Sequence, residues 1–132
     1  MAAPDPLVDA ARAARAHAVA PFSGFAVGAA VETEDGTIFT GSNVENASYG
    51  LTICAERVAV FTALAAGHRG FRRAAVVTDT PAPTPPCGAC RQILWEFAGD
   101  IEVVLANLDG VTAVHQMATL LPHPFDSRNL EP

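Results

Sequence analysis

Two short segments of the chain contain side chains that could hold a metal ion and move protons. They are Cys54-Ala55-Glu56 and, further along, Pro86-Cys87-Gly88-Ala89-Cys90. A catalytic zinc takes three protein ligands and leaves its fourth tetrahedral position to water, whereas a structural zinc is closed by four ligands. The chain has no fourth cysteine, and its histidines are scattered away from the cysteines. Cys54, Cys87 and Cys90 therefore predict one zinc ion per chain with a place for water.

Glu56 is the free acid of this predicted site. It lies two residues after Cys54 and in the first turn of a predicted helix, so its carboxylate can reach the fourth position of the metal. We expect Glu56 to take a proton from the bound water and to pass it on, as a general acid and base. Three thiolates give the cluster a net negative charge that raises the pKa of this water. Arg57 and the N-termini of two helices are predicted to offset that charge.

The two segments together resemble the small all-cysteine cytidine deaminases. Nucleobase deaminases contain a His or Cys, then X-Glu, then Pro-Cys-X-X-Cys, and the glutamate is not a ligand. The resemblance runs from about Ala10 to Leu130. It implies hydrolytic deamination of cytidine and 2′-deoxycytidine in pyrimidine salvage, in which zinc-bound hydroxide attacks C4 and Glu56 carries the proton to N3. It also implies that Arg57 hydrogen-bonds to the ligand sulfurs.

The same resemblance implies a set of substrate-binding positions: Phe25, Asn43, Glu45, Tyr49, Ala55 and Phe125. Asn43 and Glu45 match the family's Asn-X-Glu-Asn segment, in which the Asn and the Glu hold the ribose 3′-hydroxyl. Phe25 matches the aromatic residue that stacks on the pyrimidine, although a core strand residue is an equal alternative because aromatic side chains also fill cores. Tyr49 and Phe125 match positions that reach into a neighbouring subunit's site. Phe22 departs from the family, where a tyrosine is more usual.

Composition narrows the class of protein. A chain of 132 residues can form one domain, expected here over residues 1–132, with a core that needs no disulfide. A net charge of −6 argues against a nucleic-acid partner, and the lack of lysine excludes P-loop and Schiff-base chemistry. No apolar run is long enough to span a membrane, and Asp5 and Asp9 stand where a signal peptide is basic. We therefore expect a cytoplasmic protein that has no membrane partner.

The order of predicted elements indicates an α/β fold with a five-stranded sheet flanked by helices. The resemblance implies the three-layer α/β/α cytidine deaminase-like fold, with a mixed sheet. The predicted helices are Pro6 to about Ala18, Ile53 to about Ala66, Gly88–Phe97 and Gln116–Leu121. The predicted strands are Phe25–Thr33, Thr37–Ser42, Ala74–Thr78, Ile101–Ala106 and Val111–Val114.

The second predicted helix has no charged residue between Val58 and Ala66. A helix that is apolar on all sides is expected to be buried on all sides, and one sheet covers only one of them. We expect the other side to pack against another subunit. The alternative is that the chain's own C-terminal segment covers it. The resemblance implies a homotetramer with shared active sites.

Three other interpretations of the cysteine segments stay open at this point. A related small deaminase could act on another aminopyrimidine nucleoside, although Asn43 and Glu45 favour plain nucleosides. A non-catalytic zinc-binding module does not explain the uncoordinated Glu56. A redox protein that cycles Cys87 and Cys90 leaves Cys54 without a role, and its motif is expected nearer the N-terminus.

Overall fold

A computed structural model describes residues 4–131 of the chain. Helices alternate with single strands or strand pairs along it, and two 3₁₀ turns, Tyr49–Leu51 and Ser127–Leu130, lie in the loops. The helices are α1 (Pro6–Arg15), α2 (Ala55–Ala65), α3 (Gly88–Ala98) and α4 (Met117–Leu120). The strands are β1 (Val27–Thr33), β2 (Ile38–Ser42), β3 (Phe71–Thr78), β4 (Glu102–Asn107) and β5 (Thr112–Gln116).

The five strands form one mixed sheet in the order β2-β1-β3-β4-β5. β3 and β4 are parallel, and the other neighbouring pairs are antiparallel. On one face, α1 buries Leu7 and Ala11 against Ala75 and Val77. On the other face, side chains of α2, α3 and α4 form a second core with the sheet. These two cores confirm the α/β fold with a five-stranded mixed sheet between helical layers.

Two glycines allow helices to lie unusually close to the sheet. A Cβ at Gly41 in β2 would come within 2.5 Å of the backbone nitrogen of Ala59 in α2. A Cβ at Gly28 in β1 would come within 1.9 Å of the carbonyl oxygen of Ala11 in α1. Any side chain at these positions would push the helix away. Gly41 therefore helps to place α2, whose first turn contains Glu56.

Most predicted elements are confirmed, but several begin or end elsewhere. β3 begins at Phe71 and not at Ala74, because Arg73 can lie in the strand while it pairs with Asp5 at 2.9 Å. The last helix is shorter than predicted, because Gln116 still belongs to β5 and pairs with Glu102. β1 begins at Val27, so the predicted strand residue Phe25 lies outside the sheet.

The single chain buries α2 on one side only, and the predicted packing of its other side against another subunit stays a prediction. Ala59, Val60 and Ala63 are fully buried against the sheet, whereas Phe61 is 41% exposed on the opposite side of the helix. The C-terminal segment therefore does not cover this side of α2 in the described residues 4–131. Within the same range, every helix is too short or too polar to cross a membrane.

Candidate active site

Two neighbouring helix N-termini bring the three sulfurs together. Cys54 is the N-cap of α2 and Cys87 the N-cap of α3, and Cys90 lies in the first turn of α3. All three Sγ atoms lie within 4.8 Å of one another, and those of Cys54 and Cys87 are 3.7 Å apart. Two thiolates on one tetrahedral zinc, each with a bond of about 2.3 Å, lie roughly 3.8 Å apart. The cluster therefore fits a zinc ion held by three cysteines.

The surroundings of the cluster favour negative charge on the sulfur of Cys54. A hydrogen bond from Cys90 lowers the pKa of Cys54 to about 5, with further help from Arg57 and Cys87. The pKa of Cys90 is raised correspondingly, because its thiol gives the hydrogen bond to Cys54 and is desolvated. Nη2 of Arg57 lies 3.5 Å from the Cys54 Sγ and 3.5 Å from the carbonyl oxygen of Thr52. The predicted position of Arg57 beside a ligand sulfur is thus observed, while its effect on reactivity stays a prediction.

Glu56 is the buried acid of the site. It is the second residue of α2 and is only 6% exposed. Burial raises the pKa of its carboxyl group, and the negative charge on Cys54 raises it further. A carboxyl group that holds its proton more firmly than usual is a better general acid near neutral pH. Glu56 therefore has the environment expected of a proton carrier.

A cavity of about 290 Å³ opens above the cluster. Cys54, Ala55, Glu56 and Cys87 line its floor, and Phe25 lies at its side. The remaining lining residues are Ser23, Val27, Asn43, Glu45, Thr52, Val76, Thr78, Thr84 and Pro85. The structure thus brings two of the predicted metal ligands, the predicted acid and most of the predicted substrate-binding residues to one cavity, and the third ligand, Cys90, lies buried beside the other two.

Asn43 connects the end of β2 to the residues in front of β1. Its Oδ1 accepts from the Val27 amide at 2.9 Å, and its Nδ2 donates to the Phe25 carbonyl at 2.8 Å. These bonds fix the backbone of Phe25, whose side chain is 39% exposed and faces the cavity. Phe25 is therefore not a core strand residue, and its stacking on a pyrimidine stays a prediction. Asn43 retains one N–H and one lone pair of Oδ1 for a ligand.

Glu45 is held by the loop in front of β1. Its carboxylate accepts from the amides of Phe22 and Ser23 at 2.9 and 3.0 Å, and from the Ser23 hydroxyl. The Ser23 hydroxyl makes the largest contribution to lowering the pKa of Glu45. Glu45 is therefore an ionised acceptor at the cavity wall, where it could bind a hydroxyl group of a ligand.

Tyr49 and Phe125 do not line this cavity. Tyr49 is 73% exposed and contacts Phe22 edge to face, with ring centroids 5.5 Å apart. Phe125 is 61% exposed near the C-terminus. The single chain thus leaves both aromatic rings on its surface. Their predicted reach into a neighbouring subunit stays a prediction.

Two side chains that the sequence analysis did not single out hold the second ligand segment and the loop in front of it. Arg91 donates from Nε to the Pro86 carbonyl at 2.9 Å and from Nη1 to the Leu120 carbonyl at 2.7 Å. Asn107, which is 1% exposed, donates to the carbonyls of Thr80 and Pro81 at 3.0 Å. The position of Arg91 directly after Cys90 could have identified its role from the sequence. Nothing local in the sequence indicated the role of Asn107.

Comparisons with known proteins agree with this geometry. Residues 3–107 match the family model described as the cytidine and deoxycytidylate deaminase zinc-binding region. A cytidine deaminase of Sporosarcina psychrophila is 47% identical over 94% of this chain and 92% of its own length. The crystal structure of cytidine deaminase from Burkholderia pseudomallei is 54% identical, with a TM-score of 0.88 over 90% of this chain and 96% of that one. The corresponding structure from Mycobacterium leprae is 42% identical, with a TM-score of 0.77 over 89% and 95% of the two chains.

Proposed function

Because the chain belongs to the cytidine and deoxycytidylate deaminase family, we propose that it hydrolyses cytidine and 2′-deoxycytidine to uridine and 2′-deoxyuridine, with release of ammonia. The observation that carries the proposal is the position of the buried Glu56 at the floor of a nucleoside-sized cavity, directly beside three converging sulfurs. Cys54, Cys87 and Cys90 would hold one zinc ion per chain. When bound, zinc lowers the pKa of a water molecule in its open position and so supplies a nucleophile near neutral pH.

Glu56 would carry two protons in sequence. Its carboxylate accepts the first proton from the attacking water and gives it to N3 of the pyrimidine as C4 becomes tetrahedral. It then takes the second proton from the new hydroxyl group on C4 and transfers it to the amino group, which leaves as ammonia while the C4 carbonyl forms. The raised pKa of Glu56 suits this role, because the carboxyl group must hold each proton between the two transfers. The Arg57 guanidinium offsets the negative charge of the sulfurs.

The remaining cavity residues would select a nucleoside. Phe25 would stack on the pyrimidine, Ala55 would contact it beside Glu56, and Asn43 and Glu45 would bind the ribose 3′-hydroxyl. Asn43 is buried and Glu45 is half-buried. A polar pair that binds a hydroxyl group in this way disfavours ligands that lack it, because part of its hydrogen-bonding capacity is then left unsatisfied.

The charge of the cavity favours a nucleoside over a nucleotide. Among the described residues that line it there is no arginine, lysine or histidine, and Glu45 adds a negative charge. A 5′-phosphate would therefore meet repulsion and no compensating cation. This observation also argues against deoxycytidylate as the preferred substrate.

We further propose that Tyr49 and Phe125 complete the site of a neighbouring copy in a homotetramer. The exposure of both rings and of Phe61 on α2 supports this assembly. A cytoplasmic location and a role in pyrimidine salvage complete the proposal. The three cysteines are free and lie together, which fits a metal site in a reducing compartment better than a redox pair.

The direct experiment measures zinc per chain and the loss of cytidine absorbance in the same purified sample. We expect one zinc per chain, conversion of cytidine and 2′-deoxycytidine, and a kcat/KM for deoxycytidylate at least about 10²-fold lower, because of charge repulsion. Bound zinc without conversion of any of these would favour a non-catalytic zinc module. Deoxycytidylate as the better substrate would overturn the nucleoside assignment.

A further inference from the structure

Two side chains of α3 hold the C-terminal segment, defined here as residues 122–131. Gln92 donates from Nε2 to the Phe125 carbonyl at 2.7 Å, and Trp95 donates from its indole Nε1 to Oδ2 of Asp126 at 2.9 Å. Trp95 packs against the core on the α2 and α3 face of the sheet. The indole therefore connects the core directly to the residue that follows Phe125.

Asp126 is the buried anchor of this segment. It is 7% exposed, and its carboxylate also accepts from the Arg128 amide at 2.9 Å and from the Arg128 guanidinium. Its own amide donates to Oδ1 of Asn129 at 2.9 Å. A buried carboxylate is stable only when its oxygens are paired in this way. The bonds of Asp126 therefore define one conformation of the chain around Phe125.

The backbone before Phe125 also needs such an anchor. His123 lies between Pro122 and Pro124 and has a φ of 53°, in the left-handed region. A residue other than glycine in this region is strained, and such strain persists only where the surrounding contacts determine the conformation. The bonds of Phe125 and Asp126 to α3 are the contacts that follow the strained residue directly.

Phe125 therefore has an aromatic ring that faces outward from a backbone held in one conformation. Phe125 exposes 61% of its surface, although the residue after it is buried and its own carbonyl is bonded. A large apolar ring held in this manner is suited to contact another molecule, since little conformational freedom remains to be lost on binding.

We propose that Trp95 and Asp126 are positioning residues, whose hydrogen bond fixes the C-terminal segment on α3 so that Phe125 enters the nucleoside cavity of a second copy of this chain. The inference rests on the proposed nucleoside deaminase function. It assigns a role in substrate binding to two residues that lie outside the cavity and do not contact the reacting atoms.

The test begins with Trp95→Phe, which removes the indole N–H and retains an aromatic ring in the core. Loss of a hydrogen bond to a charged group should raise KM for cytidine about tenfold, while kcat changes less than about twofold. Asp126→Asn keeps the shape but makes the bond neutral and weaker, so KM should rise about threefold. Zinc per chain should stay at one in both variants. Glu96→Gln, an exposed change beside Trp95 on α3, is the matched control and should leave KM unchanged.

A double-mutant cycle separates positioning from a general structural effect. If Trp95 acts through Phe125, then Trp95→Phe should add less than about twofold to the KM of Phe125→Ala. An unchanged KM in both Trp95→Phe and Asp126→Asn, or a full tenfold effect of Trp95→Phe on top of Phe125→Ala, would overturn the inference. If Trp95→Phe loses zinc or unfolds, Asp126→Asn takes its place in the cycle. A wild-type protein that is inactive on cytidine would instead overturn the proposed function, and this inference with it.

Discussion

The single chain builds the floor of the cavity from its own buried residues, whereas the aromatic residues proposed for the rim lie exposed on its surface. At the floor, Glu56 is 6% exposed, and Cys90, beside the floor residues Cys54 and Cys87, is fully buried; both lie in the first turns of helices packed on the sheet. At the proposed rim, defined as the two aromatic residues that we assign to a neighbouring copy's cavity, Tyr49 and Phe125 are 73% and 61% exposed and do not line the cavity of their own chain. The floor is complete within one chain, whereas the rim has aromatic groups that face outward. The comparison supports the proposal that one chain sets the chemistry and that a second copy closes the cavity over the nucleoside.

The largest effect is expected from removing a metal ligand at the floor. Cys87→Ala leaves two sulfurs for zinc, so the protein should lose the ion, its activity and part of its stability. Metal analysis and a thermal melt of the same sample measure these losses. A variant that keeps one tightly bound zinc per chain would contradict the three-cysteine assignment.

The second-largest effect is expected from a substitution that removes the proton carrier of the floor but leaves the metal site intact. Glu56→Gln keeps the size of the side chain but cannot carry protons, so kcat should fall by at least about 10²–10⁴-fold. Zinc content and cytidine affinity should be retained, and metal analysis with equilibrium binding of cytidine checks both. Turnover near the wild-type rate would remove Glu56 from the mechanism.

A smaller effect is expected at the rim. Phe125→Ala removes the proposed aromatic contact with the nucleoside, so KM for cytidine should rise about tenfold while kcat stays close to the wild-type value. Steady-state kinetics measure the two constants separately. Leu130→Ala, which alters another exposed residue of the same segment, is the matched control and should leave both unchanged. A fall in kcat with unchanged KM would place Phe125 among groups that act on the transition state.

The smallest effect is expected from substitutions of Asp5, on the opposite side of the sheet, which should change the free energy of unfolding but not the activity. Asp5 caps α1 through the Leu7 amide at 3.0 Å and pairs with Arg73 at 2.9 Å. Asp5→Ala should lower the free energy of unfolding by about 1 kcal/mol through the lost cap. Asp5→Asn keeps a capping side chain and should cost less than about 1 kcal/mol. Denaturant unfolding measures both, and kcat/KM should not change.

The same residue gives a pH dependence with a defined sign. The hydrogen bond from Arg73 makes the largest contribution to lowering the pKa of Asp5 below its ordinary value of 3.8. The ionised form is therefore favoured in the folded state, and its contribution to stability is present above that value and is lost as the pH falls through the lowered pKa. The difference in unfolding free energy between wild type and Asp5→Asn should shrink below about pH 4. A difference that grows on acidification would contradict the assigned ion pair.

The floor could be predicted from the sequence because its parts are local. Cys54 and Glu56 lie two residues apart, and Cys87 and Cys90 share one turn of helix, so the spacing determines their geometry. The hydrogen bonds that hold the loop before Cys87 and the C-terminal segment join distant parts of the chain. The bonds of Asn107 to the carbonyls of Thr80 and Pro81 depend on how the strands and loops pack together.

The predicted start of β3 was wrong for a related reason. The predicted strand begins at Ala74, yet β3 includes Arg73, whose guanidinium forms an ion pair with Asp5 at the start of α1, far away in the sequence. The stacking position of Phe25 was equally open to a core interpretation. The contact of Asn43 with its backbone, which no local pattern shows, holds it outside the sheet.

The central claim, that one chain supplies the floor and another the rim, is tested most directly by mixing two defective variants. Glu56→Gln chains contribute intact Phe125 rings, and Phe125→Ala chains contribute intact floors. After demonstrated subunit exchange, kcat/KM per Phe125→Ala chain at low cytidine concentration should rise several-fold toward the wild-type value, because some floors then meet an intact ring. A value that stays at that of Phe125→Ala alone, or a protein that sediments as a monomer, would contradict the shared site.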